Sequence, residues 1–192
     1  MVNNSSENFI KIFKRDQDKP QSFEIKNETE IIVKSSPNSD YWRKTHYGFI
    51  RHNGNFFYKK IKGNFTISVD FQGKYEELYD QAGIMLKINE KEWIKTGIEF
   101  VDEIQKASAV VTNEHSDWSV IPLKTSPEWF TIKVERKEES IQISYSIDFG
   151  KTFELLRMTF IRNVEEVNVG IFVASPTSKK GFETKFKNLS IE

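Results

Sequence analysis

Two segments near the middle of this 192-residue chain carry side chains that could act together. In DQAGIMLKI, Asp80 to Ile88, every second position holds Gln81, Gly83, Met85 and Lys87; in EWIKTGIEFV, Glu92 to Val101, it holds Trp93, Lys95, Gly97 and Glu99. Alternate residues of an extended strand point to one side. If both segments are paired strands, an indole, an ammonium, a carboxylate and an amide stand over two glycines. Such a face can stack a ring on the indole and bind its polar groups from below. The same residues also fit an ordinary solvated face with a Lys95–Glu99 contact, because charged side chains are mostly exposed.

A second stretch, EHSDWS at Glu114 to Ser119, sets carboxylates close to a tryptophan between two strand-like runs, ASAVVT and VIPL. Asp tends to bond its own backbone in turns, and an indole buries apolar area while its N–H still needs a partner. The expectation is a loop at the rim of the sheet, with Asp117 held by neighbouring donors and Trp118 aimed over the Trp93, Lys95 and Glu99 face. The competing expectation is a tryptophan that plugs the end of a sandwich.

Other chemistries lack their residues. There is no cysteine, so disulfides, thiolate metal sites and a cysteine nucleophile are excluded. His46 and His52 flank YGFIR and His115 is remote, with no His-x-x-x-His and no acidic metal loop. No Gly-x-Ser-x-Gly elbow or glycine-rich phosphate loop occurs. No cofactor is expected. Lys+Arg and Asp+Glu both total 28 and no long block of one sign occurs, so neither nucleic acid nor a membrane surface is an expected partner. The beginning, MVNNSSENF, has no basic and apolar leader pattern, which leads us to expect a soluble, cytoplasmic protein.

The elements that would position these residues read as strands. In NFTISVDFQ, Phe65, Ile67, Val69 and Phe71 alternate with Thr66, Ser68 and Asp70, the two-residue period of a half-buried strand. The period returns at Ile132 and Val134, at Ile141, Ile143, Tyr145 and Ile147, and at Val167, Val169, Ile171 and Val173. Turn residues separate the runs: HNGN at His52 to Asn55, KGN at Lys62 to Asn64, and DFG at Asp148 to Gly150. The 16 phenylalanines also favour pleated, half-buried surfaces. No repeat of propeller length is visible. The class expected is all-β, as a sandwich or barrel. Residues 1–20 show no clear period and are expected to form an arm, with an edge strand near Phe9 to Phe13; 21–192 are expected to form one domain. Ser146 to Phe153, SIDFGKTF, matches the Asp-box turn, in which an Asp accepts backbone N–H bonds and a Gly takes positive φ. Sialidases carry several copies; a single copy reads as a structural turn.

The runs YDQAGIML, WIKTGIEF, SAVVT and SDWS, with SDYWRKTHYGF upstream and ASP downstream, resemble a concanavalin A-like family of unknown function that includes a yeast protein described as a regulator of enolase. The resemblance covers roughly 36–192. It implies a two-sheet antiparallel jelly-roll sandwich with one concave face, the architecture of legume lectins and many glucanases. The matched polar and aromatic positions are Asp40, Trp42, Arg43, Asp80, Gln81, Trp93, Lys95, Glu99, Asp117 and Trp118. Of these, all but Asp40 are taken as candidate binding residues.

Three functions follow from this reading. The leading one is a non-catalytic domain that binds a carbohydrate or small polar ligand on the concave sheet, with Trp93 or Trp118 as the stacking platform. The second is a protein-interaction module acting on a metabolic enzyme. The third is a glycan-active hydrolase, which needs two carboxyl groups about 5–5.5 Å or 6.5–9.5 Å apart. Related glucanases place them as Glu-x-Asp-x-x-Glu, but here the position two beyond Glu99 is Val101, so only a cross-strand pair of Glu99 with Asp80 or Asp117 would serve.

Overall fold

The computed structural model describes residues 14–15, 18–27 and 29–192. Strands are numbered in chain order. One seven-stranded antiparallel sheet runs β1 (Lys14–Arg15), β6 (Asn55–Lys62), β15 (Glu166–Ala174), β8 (Gln81–Lys87), β9 (Glu92–Val101), β10 (Ile104–Asn113), β11 (His115–Pro122). The second runs β14 (Glu154–Phe160), β13 (Ser140–Ser146), β12 (Phe130–Lys137), β7 (Phe65–Gly73), β16 (Glu183–Ile191), β3 (Glu30–Lys34), β2 (Ser22–Ile25). A separate ribbon pairs β4 (Tyr41–Arg43) with β5 (Ile50–His52). The protein is thus all-β, a two-sheet sandwich of the concanavalin A-like kind; the alternation led us to expect a sandwich or barrel, and the family resemblance this kind of sandwich.

The alternation explains the core. Phe65, Ile67, Val69 and Phe71 on β7, Ile132 and Val134 on β12, and Ile141, Ile143 and Tyr145 on β13 are all buried. They meet Ile84, Leu86, Ile94, Ile98, Val169 and Ile171 from the first sheet. Full burial of each such side chain stabilises by about 1.5–3 kcal/mol. Ile147, expected to continue the β13 row, is instead exposed, because the chain has entered the turn by that point. There the Asp-box forms as a local device. Asp148 accepts from the N–H groups of Lys151 (3.1 Å) and Thr152 (3.0 Å), Ser146 Oγ accepts from Gly150 N–H, and Gly150 sits at φ +75°. Phe153 packs toward Gly150 but stays exposed.

β8 and β9 pair with Gln81 opposite Glu99, Gly83 opposite Gly97, Met85 opposite Lys95 and Lys87 opposite Trp93. The two rows read from the sequence therefore share one face. Gly83 and Gly97 lie back to back; a Cβ on either would overlap a carbonyl oxygen of the other strand and come 2.7 Å from the facing Cα.

Two expectations change here. SDWS is not a loop but part of edge strand β11, paired with β10 so that Trp118 faces Val110 and Asp117 faces Val111. The outer face of β8 and β9 is also neither open nor solvated: the β4–β5 ribbon lies on it and builds a second apolar core from Tyr41, Trp42, Phe56, Met85, Trp93, Val110 and Phe172. The stretch Phe9 to Phe13, expected to add an edge strand, lies outside the described residues; within them, Lys14–Arg15 pairs with the outer side of β6.

Candidate functional site

The ribbon is held on the sheet by bonds that its own sequence supplies. Tyr41 packs edge-on against Trp93, ring centroids 6.1 Å apart, and its hydroxyl donates to the Gly54 carbonyl at 2.7 Å. Arg43 donates its backbone N–H to Ser116 Oγ (2.9 Å) and its guanidinium to the Glu114 carbonyl (3.2 Å), with the Glu114 carboxylate at 3.5 Å. Glu114 takes φ +60° at the tight β10–β11 turn, which presents both groups to the arginine. A buried guanidinium needs such partners. Glu114 of EHSDWS thus fastens the ribbon chiefly through its backbone carbonyl, while its carboxylate pairs more closely with Lys91 at 3.0 Å.

Between ribbon and sheet a cavity of about 160 Å³ remains. Its floor is polar and its walls are aromatic. On the floor Lys95 is only 3 % exposed; its Nζ donates to Gln81 Oε1 at 2.5 Å and lies 3.5 Å from Asp40 Oδ1. The Gln81 amide donates to the Tyr79 carbonyl at 3.2 Å, and Asp40 also accepts its neighbour's N–H, from Tyr41, at 2.8 Å. Glu99, 7 % exposed, accepts from Ser108 Oγ at 2.8 Å, and that oxygen accepts from Trp118 Nε1 at 3.1 Å. Burial raises the Glu99 carboxyl above the usual range, opposed by the Lys95 charge and the Ser108 bond.

The wall rings stand across one another. Trp118 is edge-on to Trp42 (6.4 Å, 88°) and to Tyr79 (6.3 Å, 77°), and Trp42 is edge-on to Tyr47 (5.6 Å, 71°). The Tyr47 and Tyr79 hydroxyls bond at 2.9 Å, which with partial burial pushes the Tyr79 phenol up to about 12. Phe49 stacks on Tyr47 at 5.4 Å and Arg51 lies over Phe49 at 4.9 Å.

Of the candidate binding residues, Trp42, Gln81, Lys95, Glu99 and Trp118 line this cavity, together with Asp40. The other four do not. Trp93 has no exposed surface; it lies under Tyr41 and cannot serve as a platform. Arg43 is spent on Glu114 and Ser116. Asp80 is buried outside the cavity, accepting from Ser175 Oγ and from the N–H groups of Glu76 and Glu77, so it shapes the turn that carries Tyr79. Asp117 points away from Trp118, as neighbours on a strand must, and its exposed carboxylate pairs with Arg157 at 2.8 Å. Neither Asp80 nor Asp117 therefore partners Glu99 across the site. The carboxylate sharing the cavity with Glu99 is Asp40.

Tyr47, Phe49, Arg51, Tyr79, Pro176 and Thr177 also line the cavity and were not among the candidates. For Tyr47, Phe49 and Arg51 the signal was present: YGFIR alternates large side chains in a stretch rich in turn residues. Tyr79 sits at φ +67° in a turn, where no periodicity marks it.

Among the described residues no three His, Asp or Glu side chains gather as a metal site, and no helix is long and apolar enough to cross a membrane. In sequence the chain is 34 % identical over 162 residues to Regulation of enolase protein 1 of Saccharomyces cerevisiae, covering 84 % of this chain and 81 % of the yeast protein. An uncharacterized protein of Emericella nidulans is 28 % identical over 173 residues, 85 % and 86 % of the two chains. In structure it matches a functionally unknown protein from Saccharomyces cerevisiae at a TM-score of 0.89, with 32 % identity and coverage of 95 % and 97 %. A legume lectin-like domain from Entamoeba histolytica matches at 0.63 with 11 % identity over 97 % and 92 %, a likeness of fold alone. A family model described as a protein of unknown function, DUF1349, matches residues 17–192, and the chain belongs to that family.

Proposed function

We propose that this chain is a non-catalytic binding domain whose cavity takes one ring of a carbohydrate-like ligand. The observation that carries the reading is the pairing of aromatic walls, Trp42, Tyr79 and Trp118, with a floor of Asp40, Gln81, Lys95 and Glu99. A sugar ring offers apolar C–H faces to the first set and hydroxyl groups to the second, and a few placed polar groups among aromatic walls are what such pockets use for orientation. A cavity of about 160 Å³ suits a single ring better than a chain. Catalysis is disfavoured because Asp40 lies beside Lys95 and Glu99 is bonded to Ser108, so neither carboxylate stands free toward a ligand. A glycan array followed by calorimetric titration of the hits tests the reading. Saccharide binding that Trp118→Ala weakens at least tenfold supports it; no binding across the array, or hits unaffected by Trp118→Ala and Lys95→Met, rejects it.

A second reading, a protein-interaction module, is favoured by the name of the yeast relative and by edge strand β14, where Leu155, Met158 and Phe160 are all exposed. Contiguous exposed apolar side chains on a sheet edge are a usual mark of a docking surface. Sedimentation of the chain mixed with purified enolase tests it: a complex that Met158→Lys with Phe160→Lys abolishes supports docking there, and independent sedimentation of the two proteins rejects it.

A further inference from the structure

The two cations and two carboxylates around the cavity balance in number but not in pairing. Lys95 has Asp40 at 3.5 Å, and its charge also acts on Glu99, so the cation on the floor is shared by two carboxylates. Arg51, the other cation lining the cavity, has no carboxylate within ion-pair distance among the described residues; its one partner is the Phe49 ring, 4.9 Å below the guanidinium. Phe49 is fixed in turn by stacking on Tyr47, whose hydroxyl meets Tyr79 across the site. A guanidinium resting on a ring keeps its five donors in a rigid planar fork and is weakly hydrated, the state suited to receiving a carboxylate or phosphate through paired bonds. The Tyr79 phenol, uncharged at neutral pH like any phenol, offers an anion no repulsion.

We propose that the ligand ring carries an anionic substituent, a carboxylate or a phosphate ester, and that Arg51 receives it at the mouth of the cavity. The inference rests on the carbohydrate reading above and narrows it to acidic sugars: the ring lies among Trp42, Tyr79 and Trp118, and the charged group extends toward β5. Arg51 is then the specificity-determining residue, and the floor is left to the hydroxyl groups.

Two matched series titrated into the full chain test this: glucose, glucuronic acid and glucose 6-phosphate, and galactose, galacturonic acid and galactose 6-phosphate. In at least one series an acidic member is expected to bind tenfold or more tighter than the neutral sugar, and whether uronate or phosphate leads identifies the anion. Arg51→Gln should bring that ratio close to one, and Arg51→Lys, which keeps charge without the fork, should leave it in between. Thermal melts confirm that the variants fold, and the wild-type ratio needs no variant. Equal affinity within both series, with Trp118→Ala weakening every member, overturns the anion inference while the cavity reading stands. An acidic preference that survives Arg51→Gln overturns the role of Arg51. Absence of binding by all members, neutral and acidic, overturns both readings together.

Discussion

Trp42 and Trp118 meet edge to face at 88°, one on the ribbon and the other on the far edge strand of the sheet beneath it. Trp42 is buried and sends its Nε1–H to the Thr45 carbonyl at 2.8 Å, whereas Trp118 is half-buried and bonds Ser108 beside Glu99. Of the two alternative roles expected for Trp118, platform or plug, the plug fits Trp42 better: Trp42 packs into the second core with only its edge on the cavity, while Trp118 lines the cavity from the strand.

That division predicts unequal costs. Trp42→Ala should destabilise by about 3–5 kcal/mol, as for other buried aromatics. Trp118→Ala removes a half-buried side chain and should cost roughly half as much, while leaving the Glu99–Ser108 bond in place. Urea melts check this, and equal losses would show that both rings serve only as packing.

Lys95 and Ile98 stand on opposite faces of β9, yet both should matter to stability. Ile98→Ala opens the main core and should cost about 2–5 kcal/mol. For Lys95 the sequence reading led us to expect a surface substitution of roughly 0.5 kcal/mol or less, and the fold reverses that. Lys95→Ala leaves Asp40 and Glu99 buried without their cation and should cost on the order of 3 kcal/mol. Equilibrium unfolding at neutral pH distinguishes the two values.

Because burial raises the Glu99 carboxyl, the folded state holds its proton more tightly than the unfolded state. The stability tied to this proton is present below the ordinary value of 4.5 and is lost as pH rises through the raised folded value. Glu99→Gln mimics the protonated form. Relative to wild type it should gain stability from about pH 4.5 upward and then level off above the folded pKa. A difference in melting temperature that stays constant from pH 4 to pH 8 would contradict this.

At the Asp-box the sign is opposite. The Ser146 bond, together with backbone and hydroxyl donors of Thr152, holds the Asp148 carboxyl far below its usual range. Its contribution is complete above the ordinary value of 3.8 and is lost as pH falls from there through the depressed folded value. Asp148→Ala should lower the melting temperature at pH 7, and the gap from wild type should narrow in acid.

Gly97→Ala tests the close approach of β8 and β9. The added methyl would overlap the Ala82 carbonyl oxygen, so the pairing that carries Gln81 and Glu99 must spread. A loss of about 2 kcal/mol or more is expected, near the upper range for overpacking. An unchanged melting temperature would mean that the strands separate easily at this point.

Period-two alternation was sufficient to identify β7, β8, β9, β12, β13 and β15, the all-β class and the sides of β8 and β9, though not β11, because the side-chain period of a strand is two and a slip of one residue would bury the wrong set. Turn chemistry was equally local: Asp148 and Gly150 find their partners within a few residues. What the sequence by itself could not determine was what lies on the outer face of the first sheet. Lys95 and Glu99 read as solvated because their burial depends on Tyr41, Trp42 and Arg43, more than fifty residues earlier, and on the Arg43–Glu114 bond, 71 residues apart in the chain. Trp93 and Trp118 look alike as residues; their different exposure comes from which of them the ribbon covers. Such contacts join distant segments through shape and charge, carry no periodic trace, and are settled only when the whole chain has packed.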